Sequence, residues 1–203
     1  MTVNVITGKN AATTAALHPL LAERWSPRGF DRHHRLSDGQ ITSLLEAARW
    51  APSANNSQPW RFLVGRRGDD TFARISEVLA PGNKSWATAS SALMLVAART
   101  TEETGRPRPW ALYDTGQAVA ALTLQAGSMG LSVHQMGGFD ADAAREEFGL
   151  DESLTPAVVV AVGHLNPEAI LAEPLATRER APRTREPLEA LLLSDSFGSR
   201  QVA

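Results

Sequence analysis

Apolar side chains first fall into a helical rhythm at Ile41, Leu44, Leu45 and Ala48, spaced by threes and fours behind the capping-box residues Ser37 and Gln40. The spacing predicts a helix that stops near Pro52, because proline disfavours helical geometry in the residue before it and the following SANNSQP is made of turn formers. Trp60 to Val64 reads as a short strand. Asp70 is placed to cap a helix carrying Phe72, Ile75, Val78 and Leu79, and Pro81-Gly82-Asn83 reads as a break. The run Ala92 to Ala98 is apolar enough for a strand buried on both faces, with a helix still open there. Tyr113 to Met129 is apolar nearly all round and ends at Gly130, so this helix needs cover on more than one side, as a core helix and as part of a subunit interface. A strand is expected over Leu131 to Met136, a short helix from Asp140 through Phe148, and a strand over Ala157 to Val162. Pro167 to Arg185 shows no period and reads as an extended arm before a short helix at Pro187 to Leu193. No internal repeat is evident.

Composition narrows the class. With 203 residues, one domain is expected, residues 1–20 forming an N-terminal extension and 167–203 a C-terminal arm. A hydrophobic content of 43% leaves little room for long disorder. The net charge of −2 offers no overall pull toward nucleic acid or an anionic membrane, so any bound anion must be held locally. The absence of cysteine removes disulfides, thiolate metal sites and cysteine nucleophiles. The longest strongly apolar run, Ser91 to Ala98, is far short of the roughly 20 residues a membrane span needs, and the N-terminus lacks a signal-peptide pattern; a cytoplasmic location is the expectation.

Candidate chemistry concentrates in three places. Arg24, Trp25, Ser26, Pro27 and Arg28 set two guanidinium groups and a hydroxyl close together, and Arg183-Thr184-Arg185 repeats that composition near the other end. If these clusters converge, charge-assisted bonds suit them to a phosphate; otherwise they are solvated surface charge. Neither a P-loop nor a G-x-G-x-x-G fingerprint occurs to hold a nucleotide in another way. The loop Ala51 to Trp60 packs amide and hydroxyl groups between two prolines, which can satisfy a polar heterocycle or simply form a turn. His33 and His34 with Asp31 lack metal-ligand spacing, so no metal is expected, and Asp114 and His134 read as structural polar residues.

Taken in order, Arg24-Trp-Ser-Pro-Arg28-Gly-Phe30, APSANNSQPW, Gly137-Gly-Phe-Asp140 and Arg183-Thr-Arg-Glu-Pro187 resemble the FMN-dependent nitroreductase family over most of the chain. That resemblance implies an α+β fold with a central, mainly antiparallel sheet flanked by helices, in an intertwined homodimer with FMN at the subunit interface. It implies that Arg24 and Ser26, with neighbouring Trp25, meet Arg183 and Arg185 around the FMN phosphate, and that Arg28 approaches the pyrimidine edge of the ring. By the same resemblance Pro52, Ser53, Ala54 and Asn56 reach in from the partner, Asn83 lies near the flavin's polar edge, and Gly137 and Gly138 bring main chain to the reactive N5. Trp110 and Trp86 are expected to line the substrate pocket. No side chain is expected to be catalytic. Electrons would pass from NADH or NADPH through the flavin to a small electron-poor acceptor such as a nitroaromatic or quinone, in a ping-pong cycle. The alternative is a flavin-binding protein of the same fold that stores or cleaves flavin.

Overall fold

The computed structural model describes residues 9–193. Its first element is a single turn, α1 (Pro19–Ala22), followed by α2 (Asp38–Arg49), whose Ser37 and Gln40 form the reciprocal capping box that the sequence predicts. A 3-10 turn at Ala54–Asn56 leads into β1 (Trp60–Arg66), then α3 (Asp70–Glu77), α4 (Pro81–Ala87) and β2 (Ala92–Arg99). The long α5 (Ala111–Ser128) precedes β3 (Ser132–Met136), α6 (Ala141–Glu147) and β4 (Leu154–Gly163). The arm carries α7 (Leu175–Arg180) and a 3-10 turn at Leu188–Leu191.

The four strands form one sheet in the order β1-β2-β4-β3, every pair antiparallel. Alternation along the central strands divides the core in two. Met94, Val96, Val160 and Val162 face α2 and α5, where they join Leu44, Ala48, Val119 and Leu122. Leu93, Leu95, Val159 and Ala161 face the other way, onto Ile75, Phe72, Phe30 and Trp86. Both faces of β2 are covered, and each fully buried Leu or Val contributes roughly 1.5–3 kcal/mol relative to exposure. This double burial decides between strand and helix over Ala92–Ala98: the run fits between two partner strands at strand rise.

Five local expectations shift. Pro81-Gly82-Asn83 is the first turn of α4, because proline at a helix start lacks only an N–H that would have been unpaired anyway. Asp69, not Asp70, caps α3 by accepting from Phe72 N–H, and α5 begins two residues before Tyr113. The arm expected to be extended holds the short α7, and the expected helix over 187–193 is a 3-10 turn. Gly65 makes the α3–β1 approach possible: a Cβ there would lie 2.5 Å from Phe72 Cα and 2.8 Å from Thr71 C. Among the described residues no helix is long and apolar enough to cross a membrane, and no group of His, Asp and Glu could hold a metal ion.

Candidate functional site

The two ends of the described chain meet. Arg183 Nη1 donates to the carbonyls of Lys9 (2.7 Å) and Ala22 (2.6 Å), and Lys9 Nζ donates to Ala181 O. Glu179 Oε1 accepts from the backbone N–H groups of Arg28 (2.7 Å) and Gly29 (3.1 Å), while its Oε2 pairs with Arg28 Nη1 at 3.3 Å. These bonds clamp the C-terminal arm onto the segment that carries Arg24 and Ser26.

The clamp produces an uncompensated positive cluster. Burial, and then Arg185, pushes the Arg24 guanidinium below its ordinary pKa; burial, and then Arg24 and Arg185, does the same to Arg183. None of the three has a carboxylate partner among the described residues, and Arg24 makes one long side-chain bond, 3.5 Å to Ser26 Oγ. Folding has gathered like charges from residues 24 and 183–185 and left their outward donors unclaimed, an arrangement that costs free energy unless an anion compensates it. Trp25 stacks beneath Lys9 Nζ, 4.6 Å from the ring centroid. Lys9 is buried, with its pKa lowered first by desolvation; sequence reasoning missed it because an isolated lysine in an irregular segment carries no periodic signal.

Glu179 pairs with Arg28, so Arg28 is not a free cation. Beside it, His134 Nδ1 donates to Pro27 O at 3.0 Å, and its ring lies 4.4 Å from Trp86. Trp86 is 2% exposed and stacks on Phe30 at 6.2 Å. The expectation that Trp86 lines the substrate pocket is therefore corrected: the turn Pro81–Ala87 is helical, and its last residues point the indole into the core beneath the sheet.

Asn83 and the glycine pair do come together. Asn83 Nδ2 donates to Gly138 O at 2.9 Å, and Ala80 N–H donates to the same carbonyl at 3.1 Å. A Cβ on Gly138 would stand 2.7 Å from Asn83 Nδ2, so the absence of a side chain there lets α4 and the end of β3 close on each other. Gly137 is exposed with open space about it, leaving its main chain accessible.

The amide-rich loop is strained and braced. Asn55, Asn56 and Gln58 have φ of 53°, 55° and 43°, a conformation that asparagine tolerates better than most residues. Ser53 Oγ accepts from Gln58 N–H at 3.0 Å, and Asp114 Oδ2, 3% exposed as a residue, accepts from Ala54 N–H at 3.0 Å. Asp114 thus positions the loop from α5. Pro52, Ser53, Ala54, Trp110, Tyr113, Asp114 and Gln117 line an open cavity of about 280 Å³. Trp110 is 61% exposed.

Within one chain, the loop and Leu20 are anchored at opposite ends of α5. The loop is tied to Asp114, whereas Leu20, just ahead of Arg24, lies beside Gly127. At 1.5 Å per residue those two anchor points are about 20 Å apart.

Comparison with known proteins agrees with this geometry. The sequence profile of the nitroreductase family matches residues 21–85 and 79–164. An uncharacterized 15.4 kDa protein of Mycolicibacterium smegmatis is 40% identical over 147 residues, 68% of this chain and 98% of that protein. The oxygen-insensitive NAD(P)H nitroreductase of Salmonella typhimurium is 26% identical over 214 aligned positions, covering 84% of this chain and 95% of that enzyme. A crystal structure described as an oxidoreductase containing FMN superposes with a TM-score of 0.86 at 32% identity, over 98% of this chain and 100% of that one. With the profile matching well over half of its length and the antiparallel sheet and converging arginines in place, the chain belongs to the nitroreductase family.

Proposed function

We propose that this protein is an FMN-dependent oxidoreductase that takes electrons from NADH or NADPH and delivers them to a small electron-poor acceptor, such as a nitroaromatic or quinone. The observation that carries the reading is the gathering of Arg24, Arg183 and Arg185 without a carboxylate among the described residues. That donor set fits a phosphate monoester, whose oxygens accept several charge-assisted bonds at once. When bound, FMN would supply the redox chemistry, accepting electrons from a dihydronicotinamide and releasing them to an acceptor.

The chain's own residues then place and shield. Arg24, Ser26, Arg183 and Arg185 hold the phosphate, with Trp25 and Lys9 packed beneath them. Asn83 and the main chain of Gly137 and Gly138 supply polar contacts near the ring. The Arg28–Glu179 pair fixes the segment between. Pro52, Ser53, Ala54 and Asn56 serve the site of a second copy. Exposed Leu112, Tyr113, Leu188, Leu191 and Leu192 supply apolar surface for such a dimer. Nicotinamide donor and acceptor take turns in one shared space beside Trp110, which makes the kinetics ping-pong.

The test is direct. Purified protein is expected to be yellow, to bleach anaerobically with NADH or NADPH, to regain colour with a quinone, and to scatter light as a dimer. A colourless protein that neither takes up added FMN nor oxidises either nicotinamide overturns the reading.

A further inference from the structure

Asp114 is 3% exposed, yet it lies on the wall of the open cavity of about 280 Å³ together with Trp110, Tyr113 and Gln117. These four positions follow one another by threes and fours along one stripe of α5, starting from its N-cap. Asp114 Oδ2 accepts from Ala54 N–H at 3.0 Å, the one hydrogen bond its side chain makes among the described residues. A carboxylate has about four acceptor sites, so most of its capacity is left over. Holding a single backbone N–H needs no charge, since an asparagine oxygen accepts the same bond. A charge at so buried a position costs free energy unless something compensates it.

The chain supplies little compensation. Asp114 forms no ion pair among the described residues. Arg108, the nearest cation along the chain, turns to Ser57 O at 3.2 Å and is not part of the cavity wall. The first turn of α5 favours a negative charge, but that contribution is small and falls off within a turn. Among the described residues on the wall, Asp114 alone carries a charge. Its neighbours Trp110 and Tyr113 are exposed aromatics, whose ring faces attract cations.

We propose that Asp114 makes the Trp110 cavity selective for flat acceptors that carry a positive charge, and selective against those that carry a carboxylate. The inference rests on the oxidoreductase reading above and adds to it the charge class of the acceptor. A cationic ring is electron-poor, which suits it to receive electrons, and it brings the buried carboxylate a counter-charge that the chain does not provide. An anionic ring meets a like charge in a space from which it has displaced water, where repulsion is screened least. Neutral acceptors fall between the two.

The probes are three nitrobenzenes of similar size: 4-nitrobenzyltrimethylammonium, 4-nitrophenylacetamide and 4-nitrophenylacetate. Calorimetric titration into oxidised FMN-loaded protein, with no electron donor present, gives each Kd without turnover. The cation is expected to bind about tenfold more tightly than the amide, and the carboxylate about tenfold more weakly. In Asp114→Asn, which keeps an oxygen for Ala54 N–H, that span of about a hundredfold is expected to shrink below about fivefold. Gln117→Lys leaves Asp114 in place and sets an ammonium one turn away, so it is expected to narrow the span as well, independently of how the Asp114 variant folds. Wild-type protein that binds the three probes alike, or prefers the carboxylate, overturns the proposal while the flavin reading stands. A span that survives in Asp114→Asn, even if all three probes bind more weakly, makes Asp114 a brace for the loop alone and also overturns it. Wild-type protein that takes up no FMN, or oxidises neither nicotinamide, overturns the oxidoreductase reading and this inference with it.

Discussion

Replacing Arg24 with Gln separates a cluster built for a ligand from one built for the fold, because the two roles predict opposite signs. In the protein without cofactor, Arg24 is half-buried, faces Arg185 and Arg183, and has one long bond to Ser26 Oγ to lose. Removing its charge relieves repulsion between like charges while glutamine keeps most of the packing, so apoprotein stability is expected to stay level or rise within about 1 kcal/mol. At the proposed phosphate site, the same guanidinium would make charge-assisted bonds to FMN worth about 1.5–3 kcal/mol. Partial solvent cover favours the lower figure, so the FMN Kd is expected to rise about tenfold. Fluorescence quenching of FMN titrated with apoprotein gives the affinity, and thermal denaturation of apoprotein gives the stability. Raising ionic strength should narrow the affinity difference between wild type and variant, because the interaction is screened. Apoprotein destabilised by more than about 2 kcal/mol with unchanged FMN affinity would refute the reasoning and make Arg24 a structural residue.

Two further outcomes test the scaffold around the site. Burial holds the folded-state pKa of His134 below its ordinary 6.5, outweighing the Pro27 carbonyl that pulls it up. The unfolded chain therefore binds the proton more tightly, so stability falls as pH drops through and below about 6.5 and is recovered above it; thermal melts from pH 8 to 5 should show part of this loss, and His134→Gln should lack that part. Gly65→Ala places a Cβ 2.5 Å from Phe72 Cα, so α3 must shift from β1; urea denaturation should show a loss of about 3 kcal/mol, and a loss under about 0.5 kcal/mol would mean that the helix yields freely.

Local order was legible in the chain itself. Period, caps and stop signals identify α2, α5, α6, β1, β3 and β4, since the capping box at Ser37 and Gln40 and the stop at Gly130 act over a few residues. The ordered motifs at Arg24, Pro52, Gly137 and Arg183 likewise supply the residues of the proposed site, because their residue types answer to chemistry rather than to packing. What the sequence could not reveal is which of these residues have partners. Glu179 neutralises Arg28, Lys9 is buried under the arm, and Trp86 turns into the core; each outcome depends on segments far apart in sequence meeting once the sheet has closed. A side chain's type is local, but its burial and its counter-charge are properties of the packed whole. The chain therefore determined its elements and its stock of donors, and only the tertiary structure decided which of its cations remain uncompensated.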